Sequence, residues 1–100
     1  MDKFQVVVDP ELEPILPRYM EIRWEELALL EQAVESGDGD AARLLGHKLK
    51  GSGTSYGFPK LTELGAAIEV AGREDDCATA GKLAGELRSY IENVEVVYGE

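Results

Sequence analysis

Residues 40–72 read DAARLLGHKLKGSGTSYGFPKLTELGAAIEVAG, two helical runs that meet at a break. In the first run Leu45, Leu49, Ser52 and Tyr56 fall within one narrow arc at 100° per residue, with Ala41 and Ala42 at its edges. In the second, Leu61, Leu64 and Ile68 recur at helical spacing. Gly57-Phe58-Pro59 separates them, because glycine frees the backbone and proline interrupts one helix while suiting the start of the next. The spacing predicts helices over about 40–56 and 59–72, and a loop this short favours antiparallel neighbours.

The flanks extend the pattern. Asp9-Pro10-Glu11 reads as a helix start, with Asp as cap, Pro at the first helical position and acid in the first turn. A short helix to about Met20 is expected, made irregular by Pro14 and Pro17. From Glu21, residues Trp24, Leu27, Leu30, Ala33 and Val34 mark a second helix ending at Ser36-Gly37-Asp38-Gly39. After Arg73-Glu74-Asp75-Asp76 a last helix carries Ala80, Leu83, Leu87, Tyr90, Ile91 and Val94. No segment alternates long enough to predict a sheet. The expectation is an all-α fold, an antiparallel four-helix bundle with a short additional N-terminal helix, over residues 9–97 and preceded by a leader at 1–8.

Composition narrows the function. The chain has 100 residues, 44% apolar and 30% charged, which suits one globular domain with a modest core. Twenty acidic against ten basic side chains give a formal charge of −10, which argues against nucleic acid and anionic membrane surfaces as partners. No apolar run approaches the roughly 18–20 residues of a membrane span, and no signal peptide is apparent. Cys77, the single cysteine, has no partner for a disulfide and lies beside acids that raise a thiol pKa. One His and one Cys leave no structural zinc site. A reducing cytoplasm is the expected compartment.

Imidazole chemistry has one place to occur, His47. On the helical wheel it lies nearly opposite the apolar arc, so it is expected to face solvent, with Asp40, Arg43, Lys50, Gly51 and Thr54 around it. Lys50 places an ammonium beside the ring, where it disfavours imidazolium and can offset the charge of a transferred anion. Lys48 projects to another flank and reads as a solvated charge. A mid-helix glycine costs about 1 kcal/mol relative to Ala. Gly51, one turn after His47 on the same face, reads as clearance for a bulky group, and Gly53 as close helix packing. In a hairpin turning at Phe58, Glu69 lies level with His47 and can hold one ring nitrogen, leaving the other free to attack. Arg73 adds charge one turn on, although Glu69 and Arg73 also fit an ordinary i,i+4 pair. Gly51-x-Gly53-x-x-Tyr56 is no dinucleotide fingerprint, since it lacks the third glycine and follows no strand.

His47-Lys48-Leu49-Lys50-Gly51-Ser52-Gly53, followed by Tyr56-Gly57 and Leu61, resembles the motif of the histidine-containing phosphotransfer (HPt) domains of two-component phosphorelays. Glu69 and Arg73 match positions at which such domains carry an orienting Gln or Glu and, in some members, a basic residue. The resemblance implies a bundle that presents His47 as phosphoacceptor, with Lys50 stabilising phosphoryl charge, Glu69 orienting the imidazole, Gly51 giving access, and Lys48 and Arg73 as accessory residues. It implies a sensor kinase or response-regulator receiver domain as partner, and transfer from one receiver aspartate to another. It implies no cofactor on this chain, with Mg²⁺ on the receiver, and no ATP-dependent kinase activity of its own. Leu44 with apolar residues of the first short helix is the expected docking patch, on a monomer. The alternative is a non-catalytic helical module that docks a signalling partner through the same face.

Overall fold

The computed structural model describes residues 4–99. Its order is β1 (Phe4–Val8), a 3₁₀ segment (Pro10–Ile15), α1 (Leu16–Ser36), α2 (Gly39–Tyr56), α3 (Pro59–Arg73), α4 (Cys77–Asn93) and β2 (Val94–Tyr98). Four helices therefore build the molecule, as the apolar periodicity requires. Local chemistry sets their ends. Asp38 Oδ1 accepts from Ala41 N at 3.1 Å at the start of α2, and Asp76 Oδ1 from Thr79 N at 3.1 Å at the start of α4. Gly37 (φ 72°) and Gly57 (φ 82°) close α1 and α2 in the left-handed conformation that glycine enters without strain.

Three expectations are corrected. The short N-terminal helix does not run to Met20: Asp9 caps at Glu11 N (2.9 Å), but the segment is a 3₁₀ helix over Pro10–Ile15 that passes straight into α1. Pro17 sits in the first turn of α1, where its missing N–H costs nothing, so it begins the helix instead of breaking it. A small sheet is present. β1 pairs in parallel with β2, Phe4 opposite Val94 and Val8 opposite Tyr98. Phe4, Val6 and Val8 face the core and Gln5 and Val7 face out; apolar Val7 on the outer side hid this alternation. Val94 accordingly opens β2 and is not part of the last helix.

The core is built around Leu27, Leu30, Phe58, Leu61, Ile68 and Leu87, all essentially inaccessible. The tightest seam is between α2 and α3. Gly39, Gly46 and Gly53 recur every seven residues on α2 and meet Gly72, Gly65 and Thr62 on α3, so the two helices run antiparallel. A Cβ on Gly46 would lie 2.4 Å from Glu69 N and 2.7 Å from Gly65 O, which leaves room only for hydrogen. The buried stripe of α2 is thus Gly39, Ala42, Gly46, Leu49 and Gly53, and Leu45, Ser52 and Tyr56 flank it half-buried. Among the described residues no helix is long and apolar enough to cross a membrane.

Candidate functional site

Backbone contact between α2 and α3 brings two polar side chains to one level. His47 leaves the outer face of α2 with 64% of its side chain exposed. Glu69 leaves α3 at the edge of the seam and is only 8% exposed. His47 Nδ1 and Glu69 Oε2 are 3.0 Å apart. A carboxylate accepts only, so the contact assigns the proton to Nδ1 and leaves the Nε2 lone pair free.

Glu69 holds more than the ring. Lys50 Nζ donates to its Oε1 at 2.7 Å, and Arg73 Nη2 lies 3.7 Å from Oε2. The Lys50 ammonium, helped by the hydrogen bond from His47, keeps the Glu69 carboxyl below the usual glutamate range against the opposing effect of burial. Lys50 thus sits beside the ring by way of the carboxylate, with further N–H donors uncommitted to any other contact among the described residues. The levelling of His47 with Glu69 about Phe58 is what the structure has.

The remaining expected residues fall in different places. Gly51 is exposed, and a Cβ there would meet nothing within 4 Å. Gly53 packs against Phe58 O and Thr62 N at the seam. Lys48 is exposed on the α1 flank, where its charge reaches Glu26. It lines a shallow cleft between α1 and α2 with Leu29, Gln32, Ala33, Leu44 and Leu45. Exposed Leu44 does border the histidine face, but its apolar neighbour across the cleft is Leu29 of α1 and not a residue of the N-terminal segment. Among the described residues no group of three or more His, Cys, Asp or Glu side chains could hold a metal ion.

Two features escaped the sequence reading. The first is the seven-residue glycine repeat, which was visible as spacing. The second is a buried polar cluster. Arg23 (5% exposed) donates through Nη1 to Ser52 Oγ, covers the Tyr19 ring at 4.4 Å and places Nε 2.8 Å from Glu26 Oε1. Its signals were an arginine on the inward stripe Tyr19, Arg23, Leu27, Leu30 of α1 and a serine on the inward arc of α2. Burial holds the Glu26 carboxyl above its usual range, opposed by the charge of Arg23.

A family model described as the Hpt domain matches residues 24–96, which includes His47, Lys50, Glu69 and all of α2, α3 and α4. No curated protein and no solved structure matches the chain.

Proposed function

The chain belongs to the Hpt-domain family, whose members carry out histidine phosphotransfer in two-component phosphorelays, and from that premise we propose that His47 is the phosphoacceptor of a relay between receiver aspartates. The observation that carries this reading is one exposed imidazole with Nδ1 held by a buried carboxylate.

The step follows from the geometry. The Nε2 lone pair attacks the phosphorus of an aspartyl phosphate on a receiver domain. The N–P bond forms as the P–O bond to the partner's carboxylate breaks, and that carboxylate leaves with the bonding pair. The Nδ1 proton stays on the ring, and its hydrogen bond to Glu69 strengthens as the phosphorylated imidazole becomes cationic. Phosphoryl transfer is mainly positioning and charge compensation, so a sparse site suffices. Lys50 offsets the charge of the phosphoryl oxygens, with Arg73 and Lys48 as accessory cations, and open space at Gly51 admits the partner backbone. Mg²⁺ belongs to the receiver. The chain takes its phosphoryl group from a receiver or a kinase, not from ATP directly. An antiparallel bundle, favoured by the short connections, keeps the site rigid, and the Leu29–Leu44 cleft beside His47 receives the apolar part of a receiver or kinase surface. The protein acts as a cytoplasmic monomer.

Label transfer tests the reading. Wild type incubated with phosphorylated receivers should acquire acid-labile, base-stable label, and His47→Gln should acquire none. Equal labelling of the two proteins would refute it, and no uptake by either would favour the non-catalytic docking module. Lys50→Ala should slow transfer without unfolding the domain. Glu69→Ala should erase the Nδ1–H preference of the ring in ¹⁵N NMR.

A further inference from the structure

The cluster centred on Arg23 lies between α1 and α2 and is not used by the chemistry at His47. A buried ion pair recovers the cost of leaving water only with good geometry. Here Arg23 Nε and Glu26 Oε1 are close, yet neither has an aligned hydrogen-bond partner among the described residues. Such a pair contributes little to stability. What it does supply is directional: a planar guanidinium donates to a hydroxyl on α2 while its edge faces the Glu26 carboxylate and its plane covers the Tyr19 ring on α1. Ser52 Oγ is its contact on α2, five residues after His47, while Glu26 and Tyr19 are its contacts on α1. Arg23, together with the Tyr19 hydroxyl 3.4 Å from the same Ser52 Oγ, therefore ties the histidine-bearing helix to its neighbour at one level.

The cleft beside His47 has one wall from each of those helices, Leu29 and Gln32 on α1, Leu44 and Lys48 on α2. A partner that grips both walls while reaching His47 feels any change of register between them. Resting on the phosphotransfer reading above, we propose that Arg23 is a positioning residue that sets this register, and with it the affinity for the phosphorylated receiver, while leaving the reactivity of the imidazole untouched.

Two phosphodonors separate docking from chemistry: phosphoramidate, too small to feel the cleft, and the receiver domain that labels wild type fastest within a phosphorylated panel. Arg23→Met combined with Glu26→Gln removes the charges with similar volume. It should raise KM for the receiver about tenfold, leave the rate at saturation within twofold, and leave labelling by phosphoramidate unchanged. Arg23→Lys, which keeps charge but loses the fork, should fail to restore KM. Ser52→Ala, which keeps the ion pair and removes the contact on α2, should raise KM about threefold. This variant decides the matter should the double variant not fold. An unchanged KM in a folded variant overturns the proposal, as does a phosphoramidate rate that falls in step with KM. Wild type labelled by phosphoramidate but by no receiver removes the docking cleft and this proposal. Wild type labelled by neither removes the phosphotransfer reading itself.

Discussion

Replacing Gly46 by alanine tests whether the seam of α2 and α3 builds the site. The added Cβ would stand 2.4 Å from Glu69 N, 2.7 Å from Gly65 O and 2.9 Å from Glu69 Cα, all backbone atoms, where ordinary contact begins near 3.4 Å. α3 must therefore retreat locally by about 1 Å. Overpacking of this kind costs about 1–3 kcal/mol, and the better helix propensity of alanine returns about 1 kcal/mol. The net loss is therefore up to about 2 kcal/mol, or up to roughly 15 °C in Tm for a domain this size. Glu69 moves with the retreating backbone, which stretches the 3.0 Å contact to His47 Nδ1 beyond hydrogen-bond range. Urea unfolding followed by far-UV circular dichroism measures the first effect, and ¹⁵N NMR of the imidazole measures the second. Gly51→Ala is the control: the same change on the same helix, where the new methyl meets nothing within 4 Å. It should stabilise by about 1 kcal/mol and leave the ring tautomer alone. If Gly46→Ala proves as stable as Gly51→Ala and keeps its tautomer, the account of the seam is wrong.

Two further outcomes follow from buried and paired groups. Tyr90 is 2% exposed, its hydroxyl has no hydrogen-bond partner among the described residues, and burial pushes its phenol up to about 12. Above pH 10 the unfolded chain therefore releases a proton that the folded chain keeps. Stability contributed by this group falls as pH rises from about 10 toward 12, by up to about 2–3 kcal/mol. Tyr90→Phe should be more stable than wild type by about 1 kcal/mol at neutral pH and lack this share of the alkaline loss in urea titrations. A less stable Phe variant would show that the hydroxyl has a partner after all. Glu69 titrates in the opposite sense. Its folded value lies below the ordinary one, so its stabilising contribution is complete above the unfolded value and disappears as pH falls through the folded one. The carboxyl ¹³C shift of Glu69 should show a midpoint below the usual glutamate value of about 4.3, and a midpoint at or above it would contradict the Lys50 contact.

The site was largely legible because it rests on helical periodicity and one turn. Once Gly57-Phe58-Pro59 was read as the bend, the 100° rule turned His47 outward and the hairpin set Glu69 beside it. The less legible parts depend on tertiary context. Phe4–Val8 is a strand because Val94–Tyr98 lies alongside it, and five residues with an outward valine give too little alternation to announce that. Pro14 and Pro17 look like breaks until α1 is seen to begin between them. Arg23 is buried because a serine, a glutamate and a tyrosine happen to surround it, and no spacing rule foretells such a pocket. The glycine repeat is different: its seven-residue period stood in the sequence, but glycine is so seldom a core residue that a wheel drawn for apolar side chains passes over it.

The parallel ribbon has a kinetic consequence. Its partners Phe4 and Val94 stand about ninety residues apart in the chain, whereas His47 and Glu69 are separated by 22. Closing the longer loop costs about 1.2 kcal/mol more in chain entropy, two doublings of length, and rewards it with only five paired positions. The order of events is therefore set by topology: the α2–α3 hairpin, and the histidine site with it, condenses first through local contacts, and the ends zip together afterwards. Loosened ribbon ends would speed unfolding far more than they slow folding, and a molecule with a frayed ribbon would still carry an assembled site.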